Sequence, residues 1–157
     1  MIQQQVGDVL EVEQDGRHFY VVVLTKVVQF GGNVVFAFHT DGEKRAPDTL
    51  TTCAAGFNIC TDLLAPKRAK RVRRVARVAD VKPYWRTRLV KATAEYRTGL
   101  KARDWYIYRV SNLGKVIAHT TTLDEKQRQA MDDGCHSFDL VAEKVLARYT
   151  PDQNEHL

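Results

Sequence analysis

Between Val6 and His39, three runs of β-branched and aromatic residues follow one another with only short glycine-containing turns between them, and this stretch constrains the fold more than any other. Val6-Gly7-Asp8-Val9-Leu10-Glu11-Val12-Glu13 alternates apolar with polar residues over most of its length, the period of a strand with one face in a core. It ends at Asp15-Gly16, a pair that accepts the positive φ of a tight hairpin turn. His18 to Val28 is almost continuously apolar, which predicts a central strand covered on both faces for part of its length. After Gly31-Gly32-Asn33, the run from Val34 to His39 supplies a third strand, closed by Asp41-Gly42. Strands joined by turns this short pair antiparallel, so residues 6–40 are predicted to form a β-meander.

The middle of the chain is less regular. From Leu50 to Leu64 the apolar residues keep no clean period, leaving loop, short helix and edge strand all open. Between Pro66 and Val81, Val72, Val75, Ala76 and Ala79 recur at the i, i+3, i+4, i+7 spacing of an amphipathic helix, with Arg71, Arg73, Arg74 and Arg77 on or beside its other face. A second hairpin is predicted over 104–120, where Asp104 to Val110 and Lys115 to Thr120 flank a turn at Asn112-Leu113-Gly114. Thr122-Leu123-Asp124-Glu125 has the form of a capping box, predicting a helix from Leu123 to Met131 that Asp133-Gly134 stops. Phe138, Val141, Ala142, Val145 and Leu146 predict a final helix before Pro151, which places two helices in 122–150. Together these elements predict one α+β domain over residues 1–157: a mainly antiparallel, strongly bent sheet of about five to six strands with C-terminal helices. A hydrophobic content of 44% is enough for such a domain to fold unaided.

Charge is distributed unevenly. Residues 67–91 hold eleven of the 24 basic residues against Asp80 alone, a local net of +10. The remaining 13 basic and 18 acidic residues give the rest of the chain −5. A concentrated basic segment on an acidic body steers anionic partners, whether nucleic acid or an acidic protein face. The segment runs into Tyr84-Trp85-Arg86-Thr87-Arg88, aromatic and arginine side chains of the kind enriched in interface hot spots and in single-strand stacking surfaces. The candidate partner-binding residues are therefore Arg71, Arg73, Arg74, Arg77, Tyr84, Trp85, Arg86 and Arg88, whereas Trp105, inside a strand run, is predicted to be core.

Motifs that carry chemistry are missing from the sequence. His18, His39, His119, His136 and His156 show no zinc-type or paired helical spacing, so neither a metal site nor a cofactor is predicted. No nucleophile elbow, dinucleotide fingerprint or phosphate-binding loop occurs, and Gly31-Gly32 is explained as a turn. Cys135-His136 places a thiol beside an imidazole, but a catalytic Cys–His pair is assembled across a fold and not by sequence neighbours. Asp8, Glu11, Glu13, Asp15, Asp41 and Glu43 are acids of strands and strand ends, which are usually solvated. Cys53, Cys60 and Cys135 are odd in number without C-x-x-C spacing and are predicted to be buried free thiols. No apolar run reaches the ~20 residues of a membrane span, and the start Met1-Ile2-Gln3-Gln4-Gln5 lacks the features of a signal peptide, so a cytoplasmic protein is expected.

Val6-Gly7-Asp8-Val9-Leu10, the Asp15-Gly16 turn, and Tyr20 followed by Val23-Leu24 resemble the start of the immunity protein 26 family, bacterial antidotes encoded beside polymorphic toxins. The resemblance implies a chain that binds a cognate toxin, the C-terminal domain of a secreted effector, and neutralises it without catalysis of its own. The alternative class is a small basic-patch nucleic-acid binder, with residues 67–91 on phosphates and Tyr84 or Trp85 stacking on bases.

Overall fold

The computed structural model describes residues 4–50, 54–95, 99–154 and 156–157. They form two compact units, Met1–Arg86 with Cys135–Tyr149 and Thr87–Gly134 with Thr150–Leu157.

The first unit is built on the meander. Strands β1 (Asp8–Gln14), β2 (Arg17–Val27) and β3 (Gly32–Phe38) pair antiparallel in sequence order. The β1–β2 register closes at Gln14↔Arg17 around a two-residue turn in which Asp15 and Gly16 have φ of 52° and 73°. Positive φ at both positions matches the turn's twist to that of the strands, which is what Asp-Gly supplies. Residues 51–53, including Cys53, lie outside the described residues, and the irregular stretch after them resolves into strand β4 (Gly56–Thr61), paired with β3. Strand β5 (Val72–Arg77) pairs with β1, giving the order β4-β3-β2-β1-β5.

One face of this sheet carries Leu10, Val12, Phe19, Val21, Val23, Val35, Ala37, Phe57 and Ile59. It is covered by Phe138, Val141, Ala142 and Val145 of a helix spanning Phe138–Leu146, capped by the Ser137 hydroxyl, which accepts from Leu140 N. Burying Phe138, Val141 and Val145 contributes about 1.5–3 kcal/mol each, so this helix is held by packing far more than by its own propensity. Arg148, at φ 56°, ends it. On the opposite face Tyr84 packs against the rings of Phe36 and Phe38.

Close approach is demanded at Gly32, where a Cβ would lie 2.5 Å from Cys135 Sγ and 2.7 Å from Thr61 O. Gly32→Ala is therefore expected to lower the unfolding free energy by about 1–3 kcal/mol, read from the urea midpoint, because a backbone carbonyl has to give way.

The second unit holds a four-stranded sheet in the order β8-β7-β6-β9. Its strands are β6 (Leu89–Ala92), β7 (Trp105–Arg109), β8 (Asn112–Thr120) and β9 (Met131–Asp132). The hairpin expected over 104–120 is present as β7 and β8, but it turns at Val110-Ser111, and Asn112-Leu113-Gly114, the expected turn, opens β8; the β6–β9 pair is parallel. Trp105, Ile107 and Leu123 form its apolar cluster, with Trp105 buried as expected.

Several expectations change. The fold is α+β and mainly antiparallel, but its described strands belong to two sheets, of five and four strands, rather than to one bent sheet of five to six. The helix expected between Pro66 and Val81 is absent. A single helical turn at Leu64–Arg68 is closed by Lys70 at φ 57° and by Arg71 N donating to Pro66 O, after which the chain extends into β5. β-Branched Val72 and Val75 favour that outcome, and pairing with β1 decides it. The helix expected from Leu123 to Met131 is reduced to Glu125–Arg128, and its capping box is Asp124–Gln127 rather than Thr122–Glu125. Met131 is instead committed to β9.

Candidate functional site

Within the first unit, three of the predicted arginines, Arg73, Arg74 and Arg77, lie on β5 and Arg71 immediately precedes it; β5 is an edge strand whose outer side pairs with no other strand among the described residues. Because β5 is extended, its side chains alternate across the sheet instead of lining one helical face. Arg73 lies opposite Glu11, Arg74 opposite Leu10 and Arg77 opposite Asp8, with a register shift between Val9 and Leu10. The three arginines of β5 therefore flank both sides of one edge.

Each is tethered from below. Arg73 Nη2 donates to Glu11 Oε1 at 3.0 Å, while Tyr20 Oη donates to Glu11 Oε2 at 2.9 Å. Tyr20, Glu11 and Arg73 are direct cross-strand neighbours, so the three rungs β2, β1 and β5 carry a continuous polar line. Tyr20 in turn accepts from Arg45 N at 2.8 Å, and His18 Nδ1 stands 3.7 Å from Glu11 Oε1. Burial opposes ionisation of Glu11, but the hydrogen bonds from Tyr20 and Arg73 and the nearby charges of Arg73 and His18 outweigh it and hold the carboxyl below its ordinary range. Burial and the Glu11 charge push the Tyr20 phenol up, so it remains a donor.

The second anchor is Asp8, which is fully buried. Its Oδ2 accepts from Gln5 N at 2.9 Å, and its Oδ1 faces Arg74 Nη1 at 3.6 Å and Arg77 Nε at 4.0 Å. Arg71 Nη1 donates to the side-chain oxygen of Gln14. Asp8 and Glu11 were expected to be solvated acids. They are counter-charges inside the sheet instead, and only the pairing of β1 with β5 reveals them.

Four cations over two buried anions leave a local excess of +2. The side chains of Arg73, Arg74 and Arg77 remain 60%, 47% and 54% exposed, with guanidinium donors left over after one or two contacts. A guanidinium fixed on one side and open on the other suits bidentate capture of a carboxylate, since part of its ordering cost has been met on folding.

The remaining candidates separate from this edge. Tyr84 is buried, and Asn58 fastens the segment by donating to Tyr84 O at 3.0 Å and accepting from Arg86 N at 2.6 Å. Arg86 stacks over the Phe36 ring and donates to Pro83 O and Ala54 O, so its guanidinium is engaged in holding the chain. Trp85 is half-buried. Arg88 is exposed but belongs to the second unit. Lys91, counted in the basic segment, is buried and carries its charge inward.

No family model, no curated protein and no solved structure matches this chain.

Proposed function

We propose that this chain is a non-catalytic binding protein, an immunity protein that neutralises a cognate bacterial toxin domain, and that the arginine edge of β5 is its docking surface. The observation that carries the proposal is the outer side of β5, unpaired among the described residues and flanked by half-exposed arginines that buried Asp8 and Glu11 hold in place. An edge strand offers a row of backbone donors and acceptors to an added strand, and charged side chains on that edge reject apolar strands. The arginines select an acidic extended segment. Such a contact, at the usual ~1,600 Å² of total buried surface, gains on-rate and specificity from its charges.

The nucleic-acid alternative is the weaker of the two. Tyr84 is inside the core, which removes one of the two aromatic side chains, Tyr84 and Trp85, that this alternative offers for stacking. Asp8 and Glu11 also offset two of the three arginine charges that β5 would bring to a phosphate backbone.

Co-expression with the toxin domain encoded beside this chain tests the proposal: cells should survive with the chain and die without it. Survival of cells producing the toxin alone would sink the immunity assignment. Arg73→Gln, Arg74→Gln and Arg77→Gln combined should weaken toxin binding at least ~100-fold, the usual scale for losing paired interfacial charges. Thermal unfolding of the same variant separates lost docking from lost folding. If the parent protein instead binds random-sequence RNA at low salt with a steep salt dependence, the alternative replaces the proposal.

A further inference from the structure

The first unit brings two of the three cysteines together by backbone pairing. Cys60 lies on β4 and is buried, whereas Cys135 precedes the Phe138–Leu146 helix and is half-buried. Thr61 and His136 form a parallel bridge, so Cys60 and Cys135, one residue earlier on each segment, are neighbours across the same pair. The juxtaposition is fastened by His136 N donating to Cys60 O at 2.9 Å, Asp62 N donating to His136 O at 3.2 Å, and Thr61 Oγ1 donating to His136 O at 2.9 Å. Paired strands lie about 4.8 Å apart, inside the ~4.4–6.8 Å Cα separation that a disulfide needs. The two thiols are within hydrogen-bonding contact of one another, and Cys135 Sγ occupies the space over Gly32 where a side chain would otherwise stand.

We infer that Cys60 and Cys135 are an oxidative modification site, a dithiol that a peroxide converts into an intramolecular disulfide, locking residues 135–149 onto β4. In the first step the Cys135 thiolate attacks a peroxide oxygen. The O–O bond breaks, one water leaves after protonation, and Cys135 becomes a sulfenic acid. In the second step the Cys60 sulfur attacks Cys135 sulfur, the S–S bond forms as S–O breaks, and a second water carries away the Cys60 proton. Two thiols are oxidised and one peroxide is reduced by two electrons.

Cys135 is the attacking thiol because it is the more accessible of the two. Burial pushes both thiols up, so the reaction should be slow at neutral pH and accelerate about tenfold per pH unit while the thiol form dominates. Closing a loop from residue 60 to residue 135 should raise the unfolding midpoint by on the order of 10 °C.

The test uses the full chain with Cys53→Ser, treated with hydrogen peroxide and read by intact mass, peptide mapping and thermal unfolding. The expected result is loss of two hydrogens, one linked peptide joining Cys60 to Cys135, and a higher midpoint that dithiothreitol reverses. Sulfinic acid on Cys135 without a linked peptide would overturn the inference, as would a disulfide between two chains. Cys60→Ser should leave Cys135 as a sulfenic acid trappable by dimedone. If that variant does not fold, the linked peptide in the parent decides alone.

Discussion

Replacing Lys91 with methionine should lower the unfolding free energy by about 3–5 kcal/mol, the cost of removing one partner from a buried charge. Lys91 is 1% exposed, and its ammonium donates to Arg128 O at 2.7 Å, to Ala130 O at 3.0 Å and to Pro151 O, with Asp132 Oδ1 at 3.4 Å. One cation thus collects the carbonyls that follow the Glu125–Arg128 helix and the start of the last segment onto β6, at the position where β6 pairs with β9. Methionine fills the stem's volume but donates nothing, so the carbonyls and Asp132 lose their shared donor. Adding Asp132→Leu should not restore the loss, because the carbonyls cannot be substituted away. Urea denaturation of both variants decides this. A double variant as stable as the parent would show that the ion pair, and not the carbonyl cage, was the whole interaction.

The second large effect is expected at Glu11. Glu11→Gln should destabilise the first unit by about 2–3 kcal/mol at neutral pH, since it removes a charge-assisted bond to Arg73 and weakens that to Tyr20. The sign with pH follows from the direction of the shift. The folded-state carboxyl titrates below its ordinary value of 4.5, so its contribution is complete above that value and is lost as pH falls through the lower folded one. The parent should therefore lose stability on acidification below about pH 4.5 more steeply than Glu11→Gln. Urea midpoints collected from neutral to acid pH measure the difference, and parallel curves for the two proteins would remove Glu11 from the account.

How much of this was legible in the sequence depended on whether a signal was local. The meander was readable because Asp15-Gly16 and the valine-rich runs act within a few residues. The final helix was readable because four inward side chains repeat at one spacing. β5 was not, since a bulge in its pairing with β1 breaks strict alternation and leaves a valine–alanine spacing that imitates a helix. The arginines were identified as a cluster, but their counter-charges belong to a strand about sixty positions earlier, beyond any local pattern. Lys91 was misplaced for the opposite reason: composition counts a lysine as surface, and only the carbonyls that converge on it say otherwise.

The interleaving of the two units carries a consequence for synthesis. The sheet of the first unit is made early, but the helix that covers its apolar face, Phe138–Leu146, leaves the ribosome only after residues 87–134 of the second unit. At about 5–20 residues per second, several seconds pass in which Leu10, Phe19, Val21, Val35 and Phe57 wait without their cover. The second unit waits as well: its sheet strands emerge together, but its Thr150–Leu157 segment, with the Pro151 carbonyl that Lys91 holds, is the last part of the chain to be made.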